Sequence, residues 1–190
     1  MTWQGDVRLG VEAWGADPPP EDVEAAGPDA DAEAVARKIL LDQLTGRARS
    51  RKELADKLAS KKVPVELAAA LLDRFEEVGL IDDEAFARLW IADRQRSKGL
   101  APRALSQELR RKGVADDVVR EALDEVDPEA EESAARTLVR KKLRTLSRVD
   151  ETTATRRLVG MLARKGYPSG LAFSVVRDEL GAAGRQCPSE

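Results

Sequence analysis

The sequence predicts an all-α chain, an elongated array of three tandem three-helix repeats. Three observations carry that expectation. First, 35% of the 190 residues are charged, 42% are hydrophobic and only 4% are aromatic. A composition rich in Ala, Leu, Glu, Lys and Arg favours helices around a core of small aliphatic side chains. Second, no convincing stretch alternates apolar and polar residues with a period of two, as a half-buried strand would. Third, a Leu-x-x-x-Leu-x-x-Lys pattern occurs at Leu54, Leu58 and Lys61, again at Leu105, Leu109 and Lys112, and again at Leu158, Leu162 and Lys165. A turn and a second apolar ladder follow in register: Leu67, Leu71 and Leu72; Val118, Ala122 and Leu123; Leu171, Val175 and Val176. Self-similarity at a spacing of about fifty residues marks a repeat protein. One such unit buries too little surface to be stable alone, whereas neighbours in a row bury a shared, mainly local core.

The first repeat spans residues 34–81. Ala36, Ile39, Leu40 and Leu44 form a one-sided stripe that Gly46 ends. Ser50-Arg51-Lys52-Glu53 reads as a capping box, in which Ser50 caps the helix amides and Glu53 reaches back. Pro64 suits the first position of a third helix and Gly79 its stop. The second repeat spans 82–127. It opens at Asp82 or Asp83, and Phe86, Leu89, Trp90 and Asp93 fall on neighbouring turns before Gly99. Phe86 and Trp90 are expected to serve core or inter-repeat packing. Pro102 starts the next helix, Gly113 ends it, and Asp116 is expected to cap the last. The third repeat spans 128–183. Pro128 opens a helix carrying Ala135, Leu138, Val139 and Leu143. A middle helix runs from about Asp150 to Arg164 and stops at Gly166. Ser169 is expected to cap a final helix through Phe173, Val176 and Leu180. Residues 184–190 read as a flexible C-terminus.

Composition excludes several chemistries. With no histidine there is no Ser–His–Asp triad, Cys–His pair or imidazole metal ligand. A single cysteine, Cys187, excludes intrachain disulfides and cysteine-rich metal sites. Neither a phosphate-binding loop nor a dinucleotide fingerprint is present. The carboxylate pairs Asp82–Asp83 and Asp116–Asp117 sit at expected helix starts, where the helix dipole accounts for them. No catalytic residue, cofactor or metal ligand is therefore expected. No apolar run has the roughly 20 residues of a membrane span, and a soluble, cytoplasmic monomer is the expectation.

Charge is unevenly placed. Residues 1–33 carry nine acids against Arg8, a net of −8, whereas residues 34–190 carry a net of +5. The acidic part also holds Pro18, Pro19 and Pro20 and several glycines, so it reads as a disordered tail. A sharper reading makes it an autoinhibitory segment whose acids imitate phosphates. Bases cluster at 47–62, 94–112 and 136–165, and the last block has a net of +8. Such blocks neutralise phosphates and release counterions. Arg136, Arg140 and Arg144 are four apart and share one helix face.

These residues resemble a known family. A middle helix ending in Leu-x-x-Lys-Gly-[Val/Tyr], together with Gly79-Leu80-Ile81-Asp82-Asp83-Glu84-Ala85-Phe86-Ala87, looks like the RecX regulatory proteins of bacteria. Arg49-Ser50-Arg51-Lys52-Glu53-Leu54, Lys112-Gly113-Val114 and Arg164-Lys165-Gly166-Tyr167 fit the same pattern, and the resemblance covers residues 34–180. It implies a non-enzymatic modulator of the RecA recombinase, active in recombination, DNA repair and the SOS response. Such a protein binds along the groove of the RecA–DNA filament and lowers filament growth, ATP hydrolysis, strand exchange and co-protease activity. The partners implied are the RecA filament and DNA, single-stranded and bound without sequence specificity. The contacts expected from the basic blocks are Lys61, Arg110, Arg111, Lys112, Arg140, Lys141, Lys142, Arg144, Arg164 and Lys165. Two features depart from the pattern: the acidic tail, and Thr152-Thr153-Ala154-Thr155, which lacks the Arg-x-Arg-Ser-x-x-Glu-Leu character of the first repeat. The residues leave two other readings open, a helical DNA-binding module and a helical-repeat scaffold for a protein partner.

Overall fold

The computed structural model describes residues 28–147 and 149–185, and these form nine α-helices and no strand. Repeat 1 holds α1 (Pro28–Gly46), α2 (Arg51–Ser60) and α3 (Val65–Glu77). Repeat 2 holds α4 (Asp83–Lys98), α5 (Pro102–Arg111) and α6 (Asp116–Asp124). Repeat 3 holds α7 (Pro128–Leu143), α8 (Glu151–Arg164) and α9 (Ser169–Arg185). Helix packing is confined almost entirely within each repeat, so the chain carries three hydrophobic cores in a row rather than one. The repeated leucines account for this. Leu54, Leu58, Leu105, Leu109, Leu158 and Leu162 are all buried, and truncating one to alanine typically costs about 2–5 kcal/mol.

Several helix ends follow the sequence directly. Ser50 Oγ accepts the Glu53 amide at 3.2 Å while the Glu53 carboxylate accepts the Ser50 amide at 3.4 Å, closing the capping box. Asp82 accepts the Ala85 amide at 2.8 Å. Gly99 closes α4 in the left-handed region at φ 58°. Other ends differ. Pro64 lies just outside α3 with an extended backbone and accepts the Ala68 amide through its carbonyl. Ala115, not Asp116, is the residue before α6; Asp116 sits in the first turn and pairs with Arg110. Ser169 is already inside α9, and the Pro168 carbonyl accepts the Ala172 amide. Helix α1 opens at Pro28, inside the segment read as tail; residues 1–27 and 186–190 lie outside the described residues.

One contact recurs between repeats. The turn after each middle helix docks on the start of the preceding repeat's middle helix. Ser50 Oγ donates to the Lys112 carbonyl at 2.7 Å, and the Ala101 amide donates to the Lys165 carbonyl at 2.9 Å. Both turns need glycine for two reasons. Gly113 and Gly166 have φ of 81° and 90°, which disfavours any side chain. A Cβ on Gly113 would also run into the Lys52 side chain, and one on Gly166 would lie 2.6 Å from the Ala104 backbone nitrogen. The corresponding residue in repeat 1 is Lys62, with φ 60°. Its side chain is exposed, so it has room there.

The far end of the array is closed differently. Asp150, the N-cap of α8, stands eight residues before Leu158, whereas Ser50 and Ala101 stand four before Leu54 and Leu105. The Thr152–Thr155 stretch is thus an additional helical turn. Within it the Ala154 amide bonds the Asp150 carbonyl at 2.9 Å. The group that would reach for a further repeat is satisfied inside its own helix.

Candidate nucleic-acid interface

The two joints share a backbone plan and differ in charge. In the first, Lys112 is largely buried. Its Nζ lies 2.6 Å from Glu53 Oε1 and 4.1 Å from the centre of the Trp90 ring. Arg94 lies 4.0 Å from the same ring, and Trp90 Nε1 donates to Glu108 at 3.0 Å. Burial opposes ionisation of Glu53, but the Lys112 ammonium, the Ser50 amide and Arg49 outweigh it and hold the carboxyl below its usual range. Asp83 ties the joint further by accepting the Arg51 amide at 2.9 Å. Lys112 is therefore neutralised and stacked, so the first joint is electrically closed.

The second joint lacks that acid. The position of Glu53 is taken by Ala104. Lys165 Nζ donates instead to the Lys98 carbonyl, and Tyr167 Oη donates to the Gly99 carbonyl at 3.2 Å. Burial, then the nearby Lys98 ammonium, pushes the Lys165 pKa down. Burial pushes the Tyr167 phenol up to about 12.

Beside this joint the last turn of α4 and the exposed side of α7 enclose a concavity of about 790 Å³. Arg96, Lys98, Lys141 and Lys165 line it with Gln95 and Ser133, and no carboxylate does. Lys98 Nζ lies 4.0 Å from Glu108 Oε1, at the limit of an ion pair. Arg96 and Lys141 form no ion pair with any described residue.

The ten expected contact residues are scattered among different surroundings. Lys141 and Lys165 share the concavity, and Lys112 lies in the first joint. Arg140 grips Glu179 through Nε and Nη2 at 2.7 and 2.9 Å, and Arg136 reaches Glu132, Asp178 and Glu179. The Arg136–Arg140 face of α7 is therefore its packing face against α9. Arg110 pairs with Asp116 at 2.7 Å, and Arg111 donates to the Gln107 carbonyl of its own helix. Arg164 is exposed beside Arg103 and Gln107. Lys61, Lys142 and Arg144 are exposed at helix ends. Arg96, Lys98 and Ser133 were not among the expected contacts. The base-rich 94–112 block contains the first two, but only the pairing of α4 with α7 shows where they face.

Comparison with known proteins adds to this geometry. Residues 36–75, 82–123 and 129–176 match, in order, the family descriptions of the first, second and third three-helix domains of RecX. The chain belongs to the RecX family. It is 48% identical over 151 residues to the Regulatory protein RecX of Amycolatopsis mediterranei (strain U-32), covering 80% of this chain and 86% of that protein. It is 46% identical over 167 residues to the Regulatory protein RecX of Mycobacterium avium (strain 104), covering 87% and 93%. The crystal structure of RecX from Lactobacillus salivarius superposes with a TM-score of 0.72 at 20% identity, over 79% of this chain and 97% of that one. A second RecX crystal structure superposes with a TM-score of 0.73 at 24% identity, over 90% and 86%. In these terms, the basic concavity lies where the second RecX domain meets the third.

Proposed function

We propose that this chain is a non-enzymatic negative regulator of RecA that binds along the RecA–DNA filament groove and limits filament growth. Lower ATP hydrolysis, strand exchange and co-protease activity follow from a shorter filament, with consequences for recombination, repair and the SOS response. The observation that carries this reading is kinship across all three repeats with proteins named Regulatory protein RecX. The architecture supports it. Three cores in a row offer a long face to a helical groove, and a surface of alternating acid and base suits a partner made of both protein and DNA. With the Ala154 amide already bonded inside its own helix, repeat 3 offers no open joint for a further copy, which favours a monomer that lies along the filament.

The test is single-stranded-DNA-dependent ATP hydrolysis by the cognate RecA, titrated with this protein from far below equimolar. Blocking a growing end affects many subunits, so activity is expected to fall at sub-stoichiometric ratios. Inhibition that needs one copy per RecA and disappears with excess DNA would reduce the effect to competition for DNA. No inhibition at any ratio would overturn the reading.

A further inference from the structure

The two joints are a natural comparison within one molecule. The same lysine closes both middle helices, yet Lys112 meets Glu53 whereas Lys165 meets a carbonyl. In the second joint the repeat pattern has exchanged an acid for Ala104 and gathered three more cations around the opening. A structural role for Lys165 requires none of these.

We infer that this concavity seats the phosphodiester backbone of single-stranded DNA, held by Arg96, Lys98 and Lys141 above the Lys165 ammonium. The choice of DNA rests on the proposed function; the anion-binding chemistry stands without it. Its polar lining is mostly donor, with the Gln95 amide and the Ser133 hydroxyl beside the four cations. The C-terminal end of α4 would ordinarily repel an anion. Here two carbonyls of that end are already occupied, Lys98 by Lys165 and Gly99 by Tyr167. Three of the four cations are lysines. Compact ammonium groups bind phosphates as point charges, and the Arg96 fork can grip a phosphate bidentately. The remainder of the lining is Ser97, Gly99, Leu100, Ala130, Ala134, Thr137 and Leu138, with no aromatic ring on which a base could stack. Binding there reads the backbone and not the sequence.

The experiment uses the full chain without RecA and a fluorescein-labelled oligothymidylate, read by anisotropy across a salt series. Arg96→Gln with Lys141→Gln removes two exposed, unpaired charges and leaves the joint intact. Lys38→Gln with Arg74→Gln removes two exposed charges of repeat 1 and is the control. The groove pair is expected to weaken binding about tenfold at low salt and to flatten the log–log salt slope by about 1.4, at roughly 0.7 per phosphate contact on a single strand. The control pair is expected to leave both nearly unchanged. Equal loss from both pairs, or no loss from the groove pair, overturns the proposal. So does a groove pair that keeps DNA affinity but no longer inhibits RecA, because the groove would then receive an acidic protein surface. Loss of DNA affinity with inhibition of RecA intact upholds the seat and removes DNA contact from the regulatory mechanism.

Discussion

Ser50 and Lys112, 62 positions apart in sequence, are joined by a 2.7 Å hydrogen bond from the Ser50 hydroxyl to the Lys112 carbonyl. The same hydroxyl oxygen accepts the Glu53 amide. One buried side chain thus caps α2 and docks repeat 2 onto repeat 1. Ser50→Ala removes both bonds and leaves a carbonyl unpaired in the joint. A loss of about 2–3 kcal/mol is expected in urea denaturation, above the ~1 kcal/mol of an ordinary cap. A loss no larger than a single cap would show that the cross-repeat bond adds nothing.

The turn glycines predict where a side chain is tolerated. Gly166→Ala places a Cβ against the Ala104 backbone, and Gly113→Ala places one against Lys52 Cβ, which is fixed to its helix and cannot swing aside. Both also bear the cost of a left-handed φ. Each should destabilise by about 3 kcal/mol. Lys62→Gly relieves the same backbone strain where nothing packs and should stabilise slightly, by up to about 1 kcal/mol. Chemical denaturation of the three variants side by side checks the contrast.

Acid should loosen repeat 3. Hydrogen bonds from Arg140, then from Arg136, hold the buried Glu179 carboxyl below its usual range against the opposing effect of burial. Because the folded pKa is depressed, this stabilisation is complete above the unfolded value and is lost as pH falls through the folded one. Glu179→Gln should lower stability by about 1 kcal/mol at neutral pH, the exposed Arg140 side chain limiting the effect. The gap between variant and parent should narrow as pH falls through the carboxylate range. Melting temperatures across that range measure it, and a gap independent of pH would assign the loss to packing.

Residues 1–27 carry six acids against Arg8, and the groove offers cations without carboxylates. A chain beginning at Pro28 keeps α1 whole. It is expected to bind single-stranded DNA several-fold more tightly at low salt, with the difference fading as salt rises. Equal affinity of the long and short chains at low salt would sink the idea of a competing acidic segment.

Much of the architecture was legible because local rules and tertiary structure agree. The leucine pattern named the buried faces, and Ser50, Asp82 and Gly99 ended helices where their chemistry required. Misplaced ends, such as Asp116 and Pro64, lie one residue from the expected cap, where competing partners decide: Asp116 was drawn to Arg110. The Thr152–Thr155 stretch was harder, since its lack of the first repeat's motif reflects an added turn rather than a weaker repeat.

By itself the sequence determined the helices, their grouping in threes and the family, since apolar periodicity and caps act within a few residues of chain. It also determined where bases are dense. Only the tertiary structure decided which of those bases are free. Arg140 and Lys112 read as surface cations, yet Glu179 and Glu53, each about forty residues or more away in sequence, neutralise them. Arg96 and Lys141 come from different repeats and line a concavity that no described carboxylate lines. Coulomb attraction falls with distance in space and takes no account of separation along the chain, so only the stacking of repeat 3 on repeat 2 creates the open charge.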